Sequence, residues 1–531
     1  MKKTTIYTNG KILTVDRNDS VVESMAVCGD RIIATGTLAQ VRALCPEEAD
    51  LVDLQGKCIV PGFIDAHHHI GIQGLNNLAI DCHVPGVKDI LDKVREAARN
   101  TPKGKWIRGW GLNESALAEG RAPTRFELDE AAPDHPVILI RVCNHVCVSN
   151  SAALRLAGID DNTPDPDGGE IVHDENGRAN GTLKEKSYNQ VLGIALPSRE
   201  ELLRGMVQTT DRLLSLGITS VHEAGSYGPV QMSALLQGVK DGVIKQRIYA
   251  IVFSFVDNDN FVSRFIDSGM FTGLGDEHFR IGPIKLMIDG SSSAPTAAMF
   301  EPFVNKPGDT GILCYEPGDV ESILIRAHKA GFQITCHAIG DRASTVIVDT
   351  IGKALEMYPR PDARHRVEHC AFTNDYIVRR VKELGIVPTV QPVFLNTYGD
   401  GYIRNYGPDR VDRMFPCKTW LENGVMAAGS SDCPVEEANP LFDMYMAICR
   451  TTASGAKISQ GECINIHQAL RMHTYNGAYA SFEEEIKGSL EPGKLADYVI
   501  LSASPYDTAT EDVPSILVEK TFIGGEEVYS R

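Results

Sequence analysis

Eight apolar runs interleaved with helix-like stretches constrain this chain more than any other feature of its sequence. The runs are Pro61–His69, Ile218–Ala224, Arg247–Phe253, Ile281–Asp289, Gln333–Ala338, Arg366–Cys370, Val387–Pro392 and Met426–Asp432. Helical patterns fill most of the gaps, as at Glu200–Ser215, Val320–Ala330 and Ala343–Met357. Strands alternating with helices pair in parallel, and eight such units close on themselves. The expectation is an α/β fold, a (β/α)8 TIM-type barrel over residues 61–480. The stretch between the first two runs is too long for one crossover, so about 83–200 is expected to be an insertion at the barrel mouth.

The termini read differently. KILTV, SMAVCGDRIIATG and KCIV near the start, and KLADYVIL and KTFIGGEEVY near the end, are β-rich with turn signals. Residues 1–60 together with 481–531 are therefore expected to form a small β-sandwich domain bracketing the barrel. Composition sets outer limits. With 43% apolar and 23% charged residues the chain has the balance of a soluble globular protein. A formal charge of −18 argues against nucleic acid and anionic membranes as partners. No apolar segment follows the N-terminal lysines, and the longest apolar run, near Ile248–Val256, is about half a membrane span. Thirteen cysteines without scaffold spacing read as reduced thiols, which makes the cytoplasm the expected location.

The chemistry concentrates at the ends of these runs. In PGFIDAHHHI, strand alternation places His67 and His69 on one face and His68 on the other. Two imidazoles at one strand end can grip a divalent ion, and Asp65 on the same face is expected to orient one of them. Lys285 lies in the apolar run IKLMI, where a buried ammonium must be paired or neutralised. Two readings stay open: a carbamate bridging two cations, or a salt bridge to Asp289 or another acid. His337 and His369 each lie at the carboxyl end of a run, next to its last residue, and GSSDCPV puts Asp432 at the end of the eighth. Barrel enzymes place their chemistry at that end. Asp432 can bind metal, move a proton or cap a helix.

Taken together, PGFIDAHHH, GITSVHEAG, KLMIDGS, HAIGDRA, RVEHC, SDCPV and EPGKLADYVIL resemble the amidohydrolase superfamily. The likeness is strongest to its amidohydrolase family 3, the YtcJ-like branch that includes N-substituted formamide deformylase. It extends through the insertion in WIRGWGLNE, PTRFELDEAAPDHPVILIR and NHVCVSNSAAL. The resemblance implies a metal-dependent hydrolase cleaving a C–N bond in an amide, formamide or cyclic amide. It implies two divalent ions, zinc by default with manganese, iron or cobalt as alternatives. His67, His69 and Asp432 would hold the first, His337 and His369 the second, with Lys285 bridging after carbamylation by carbon dioxide. A shared hydroxide would attack, and Asp432 would carry its proton to the leaving amine.

After KLMIDGS the chain reads SSAPTAAM, where a loop richer in glycine and arginine is expected in this branch. Trp110, His145, His222 and Asp289 are candidate substrate contacts, although a packing role is the plainer reading of His222 and of the insertion's aromatic residues. Asp341 is expected to cap the helix after HAIGDRA. Cys336 and Cys370 are expected to turn away from the neighbouring ligands. The alternative reading is a mononuclear deaminase on the same scaffold, but no glutamate follows His337 closely and the fourth run offers Lys285. A catalytically inactive binding relative is the third reading, against which the full ligand set stands. A small-molecule substrate and pairing into a homodimer complete the expectations.

Overall fold

The computed structural model of the protein describes residues 3–142, 146–166 and 169–531. Eight parallel strands are hydrogen-bonded in chain order: β1 (Phe63–His68), β2 (Ile218–Glu223), β3 (Arg247–Val252), β4 (Phe279–Met287), β5 (Ile334–Ala338), β6 (Arg366–His369), β7 (Val387–Val390) and β8 (Ala428–Gly429). Nearly every residue of β1, β2, β3, β6 and β7 is buried, as expected for strands covered on both faces. The sheet is nearly closed. At the seam between β8 and β1, the Asp432 N–H donates to the His67 carbonyl and the His69 N–H to the Cys433 carbonyl, both at 2.9 Å.

The expected eighth strand, Met426–Asp432, contracts to two residues. Ser430 still donates to the Val390 carbonyl, but the Ser431 N–H turns to the Asp65 carboxylate and Asp432 takes a left-handed backbone, φ 55°. Left-handed geometry also ends β6, at His369 (φ 71°). Non-glycine residues adopt it at a cost, and such costs gather where function demands them.

The helix after β1, Ile70–Asn77, packs on Arg199–Ser215, the helix that leads into β2. The two backbones nearly touch: a Cβ at Gly205 would lie 2.0 Å from the Gly74 carbonyl oxygen. Only glycine permits that approach. The residues between form a six-stranded mixed sheet, ordered from Gly169–His173 through Ala179–Glu185, Val146–Ser149, Val137–Arg141 and Ile107–Leu112 to Ile80–Asp81. It has its own core, built on Ile90, Val94, Leu128 and Leu139.

The terminal segments form two sheets. One is built from the N-terminal segment alone: Arg31–Gly36, Ser24–Cys28, Thr4–Thr8 and Asp50–Asp53. The other mixes both ends, with Cys58–Pro61 lying between Tyr498–Leu501 and Lys11–Leu13. Tyr7, Ile12, Met25, Ile59, Tyr498 and Phe522 share one apolar cluster. Arg247, at the start of β3, ties the barrel to this region through a buried two-bond contact with Asp497 at 2.6 and 2.9 Å. The twelve cysteines described are all free. Among the described residues no helix is long and apolar enough to cross a membrane.

Candidate metal centre

The ends of five strands bring six side chains together. His67, His69 and Asp432 each offer a ligand atom within 4.8 Å of the others, and all three are buried. One Asp432 carboxylate oxygen lies 3.4 Å from Nε2 of both histidines. Lys285 Nζ stands 3.2 Å from His67 Nε2. The His369 ring is centred 5.1 Å from that of His67 and 4.5 Å from that of His337. His68, on the opposite face of β1, is buried with no hydrogen-bond partner for either nitrogen among the described residues.

Each of the four clustered imidazoles is held from behind. His67 Nδ1 meets the Glu368 carboxylate at 2.5 Å and His69 Nδ1 meets the Gly225 carbonyl at 2.5 Å. His369 Nδ1 faces the Gln391 side-chain oxygen at 2.9 Å, and His337 Nε2 faces the Gly290 carbonyl at 3.0 Å. These bonds leave a second nitrogen on each ring free to ligate. Burial, with Lys285 adding to it, lowers the pKa of His67 to about 3, and burial also pushes His337 and His369 down. These three rings are therefore neutral at pH 7, the form that binding a cation would require. Burial works to raise the Asp432 carboxyl, yet the hydrogen bond from His69 and the facing His67 and His369 hold it well below the usual carboxylate range. Burial lowers Lys285 to about 8.

Several expectations meet a different geometry. Asp65 orients no imidazole. Its oxygens accept from the Ser431 hydroxyl (2.5 Å) and N–H (3.1 Å) and from the His67 backbone N–H (3.3 Å), so it braces the seam instead. The acid behind His67 is Glu368, on the opposite side of the barrel. It passed unnoticed in RVEH, although two charged residues alternating with an apolar one in a buried strand must both point into the barrel. Lys285 does not pair with Asp289. That carboxylate is fully buried, accepts backbone N–H groups from Ala298, Ile339 and Gly340 at 2.8–3.0 Å, and lies 3.6 Å from His337 Nε2. Burial raises its pKa to about 7. Asp341 is the first residue of its helix, with Gly340 at the cap, and bonds the Phe300 N–H at 2.9 Å.

His222 is buried below the ligands, accepting from Arg366 at 2.9 Å. Trp110 lies in the insertion sheet with its ring edge-on to His83 at 4.9 Å. His145 lies outside the described residues. Cys336 and Cys370 are fully buried. Aromatic rings flank the ligands on two sides: Phe255 is centred 5.8 Å from His69, and Phe394 stacks at 6.5 Å from His369.

Comparison with known proteins gives the chain a family. Residues 50–529 match the model of the amidohydrolase family. The N-substituted formamide deformylase of Arthrobacter pascens is 30% identical, over 98% of both chains. The putative amidohydrolase YtcJ of Bacillus subtilis is 29% identical, over 99% of both. A crystal structure of an uncharacterized metal-dependent hydrolase from Pyrococcus horikoshii superposes with a TM-score of 0.81 at 27% identity, over 96% of this chain and 99% of that one. With candidate ligands converging at one barrel mouth and a family match that spans most of its length, this chain belongs to the amidohydrolase family, a family of hydrolytic enzymes.

Proposed function

We propose that the protein hydrolyses a C–N bond of an amide, formamide or cyclic amide at a centre of two divalent cations. The observation that carries this reading is the clasp of His67, His69 and Asp432, three donors within 4.8 Å of one another. The donor set fits the group: neutral imidazoles and an ionised carboxylate suit zinc, manganese, iron or cobalt. His67, His69 and Asp432 would hold one ion, His337 and His369 the other. Lys285 would join them as a carbamate, formed when its neutral amine adds carbon dioxide. Such ions supply Lewis acidity and bring the pKa of water near neutrality.

The chain's own residues do the rest. Asp432, at the rim between two ligand histidines, accepts a proton from the attacking water and passes it to the departing nitrogen. Its depressed pKa keeps it ionised, the form that can ligate a cation and take up a proton. The 30% identical relative named for formamide deformylation supports a small amide-type substrate. We further read the two terminal sheets as one β-sandwich domain and place the enzyme in the cytoplasm.

The test is metal analysis joined to a hydrolysis screen over N-acyl, N-formyl and cyclic amides on metal-replete protein. About two ions per chain and turnover of at least one class are expected. Fewer than one ion per chain in zinc-replete protein overturns the binuclear reading.

A further inference from the structure

Four imidazoles face this centre, and their supports are not alike. Backbone carbonyls back His69 and His337, and a neutral amide backs His369. Among the described residues only His67 has a carboxylate at hydrogen-bond distance behind it; Asp289 stands off His337 Nε2 at 3.6 Å. Glu368 Oε2 reaches its Nδ1 at 2.5 Å, across the barrel from β6 to β1, and both side chains are fully buried.

Glu368 is itself fixed. Arg366, two residues earlier on the same face of β6, donates Nε to Oε1 and a terminal nitrogen to Oε2, each at 2.9 Å. Thr335 on β5 donates its hydroxyl to Oε1 at 2.7 Å. Arg366 in turn donates to the Ala66 carbonyl (2.7 Å), Thr389 (3.0 Å) and His222 (2.9 Å). Five strands thus contribute to one polar ladder whose top rung is the His67 ring. The same ring faces Lys285 and Asp432 through Nε2, so its Nδ1 carries the proton that Glu368 receives.

We propose that Glu368 is a positioning residue for the metal centre: it fixes the His67 tautomer and ring orientation and strengthens Nε2 as a donor. This rests on the metal-binding reading above. A carboxylate paired to the distal nitrogen makes an imidazole a better ligand, and losing such a partner ordinarily weakens metal binding about 10- to 100-fold. Were Glu368 present only to neutralise Arg366, its bidentate pairing would suffice and its contact with His67 would carry no consequence for zinc.

The experiment uses zinc alone as probe, in competition with a chromogenic chelator, on the full chain with folding followed by circular dichroism. E368Q keeps the shape and loses the charge; E368D keeps the charge and loses the reach. Each is expected to weaken zinc binding by about 10-fold or more. Replacing the neutral partner, Q391L, is expected to weaken it less. A folded E368Q or E368D that binds zinc within about twofold of wild type overturns the inference. Should neither variant fold, the wild-type imidazole nitrogen and proton resonances decide. A Nδ1-protonated His67 with a strongly downfield proton upholds the inference, and a Nε2-protonated ring sinks it. A wild-type chain that binds no zinc fails the metal reading itself, an outcome distinct from equal binding by wild type and variant.

Discussion

The two flanks of the ligand cluster are built by different means. At the β1–β8 seam, main-chain bonds from Asp432 to His67 and from His69 to Cys433 set the ligands in register, and Asp65 pins Ser431 beside them. On the β5–β6 flank, a backbone carbonyl and a side-chain amide back His337 and His369, with the Asp289 carboxylate 3.6 Å from His337. The first flank is a finished clasp; the second is an assembly of separately supported rings. Main-chain bonds cost little entropy to maintain once the strands are paired, whereas side-chain orientation must be secured group by group. The seam position is therefore expected to bind metal more tightly.

The largest expected effect falls on the seam. Asp432→Asn should leave the melting temperature nearly unchanged while turnover drops by roughly 10²- to 10⁴-fold. Retention of more than about a tenth of the wild-type rate would remove Asp432 from the proton-transfer role. Next comes the residue between the flanks. Lys285→Ala should lose activity by about 100-fold or more, since a bridging ligand outweighs a supporting one, with partial recovery on adding short carboxylic acids. An unimpaired variant would refute the bridge.

The comparison itself is tested by paired ligand changes. His337→Asn is expected to retain about one zinc per chain and His67→Asn less than one, measured by elemental analysis after dialysis. Equal loss from both would show that the flanks bind as one unit.

The smallest effect lies outside both. His328 and His365 bond to each other at 2.9 Å, with Arg360 donating to the His328 carbonyl and burial pushing both histidines below their usual range. A lowered folded pKa means that the unfolded chain binds more protons. Stability should thus be full above about pH 6.5 and fall by up to about 1.4 kcal/mol per pH unit for each such histidine as the pH drops below it. His365→Asn should flatten the acid limb of the melting profile; an unchanged limb would assign it to other histidines.

How much could be read beforehand depended on whether a position's role is local. His67 and His69 are set by strand alternation, and His337, His369 and Asp432 by lying at the carboxyl ends of apolar runs. Convergence follows once eight runs close a barrel. Lys285 stood out because an ammonium within IKLMI has no local excuse. Glu368 was hidden because its partners, Arg366 aside, lie on other strands, and nothing in RVEH announces a histidine 301 residues away. Asp65 misled for the same reason: proximity along β1 suggested His67, while its best donor came from Ser431. The surroundings of Trp110, His222 and Asp289 were equally illegible, since side chains facing a cavity or a core share the same strand pattern.

The strand Cys58–Pro61 runs almost directly into β1, and its partner Tyr498–Leu501 arrives some 440 residues later, with the Gly62 N–H closing on the Asp497 carbonyl at 3.0 Å. A growing polypeptide on the ribosome thus carries its first histidine pair long before the segment that anchors that strand has been made. Until the last strands emerge, β1 lacks the partner that anchors its entry, and a chain cut short upstream of Asp497 would carry the histidine pair on an unanchored strand.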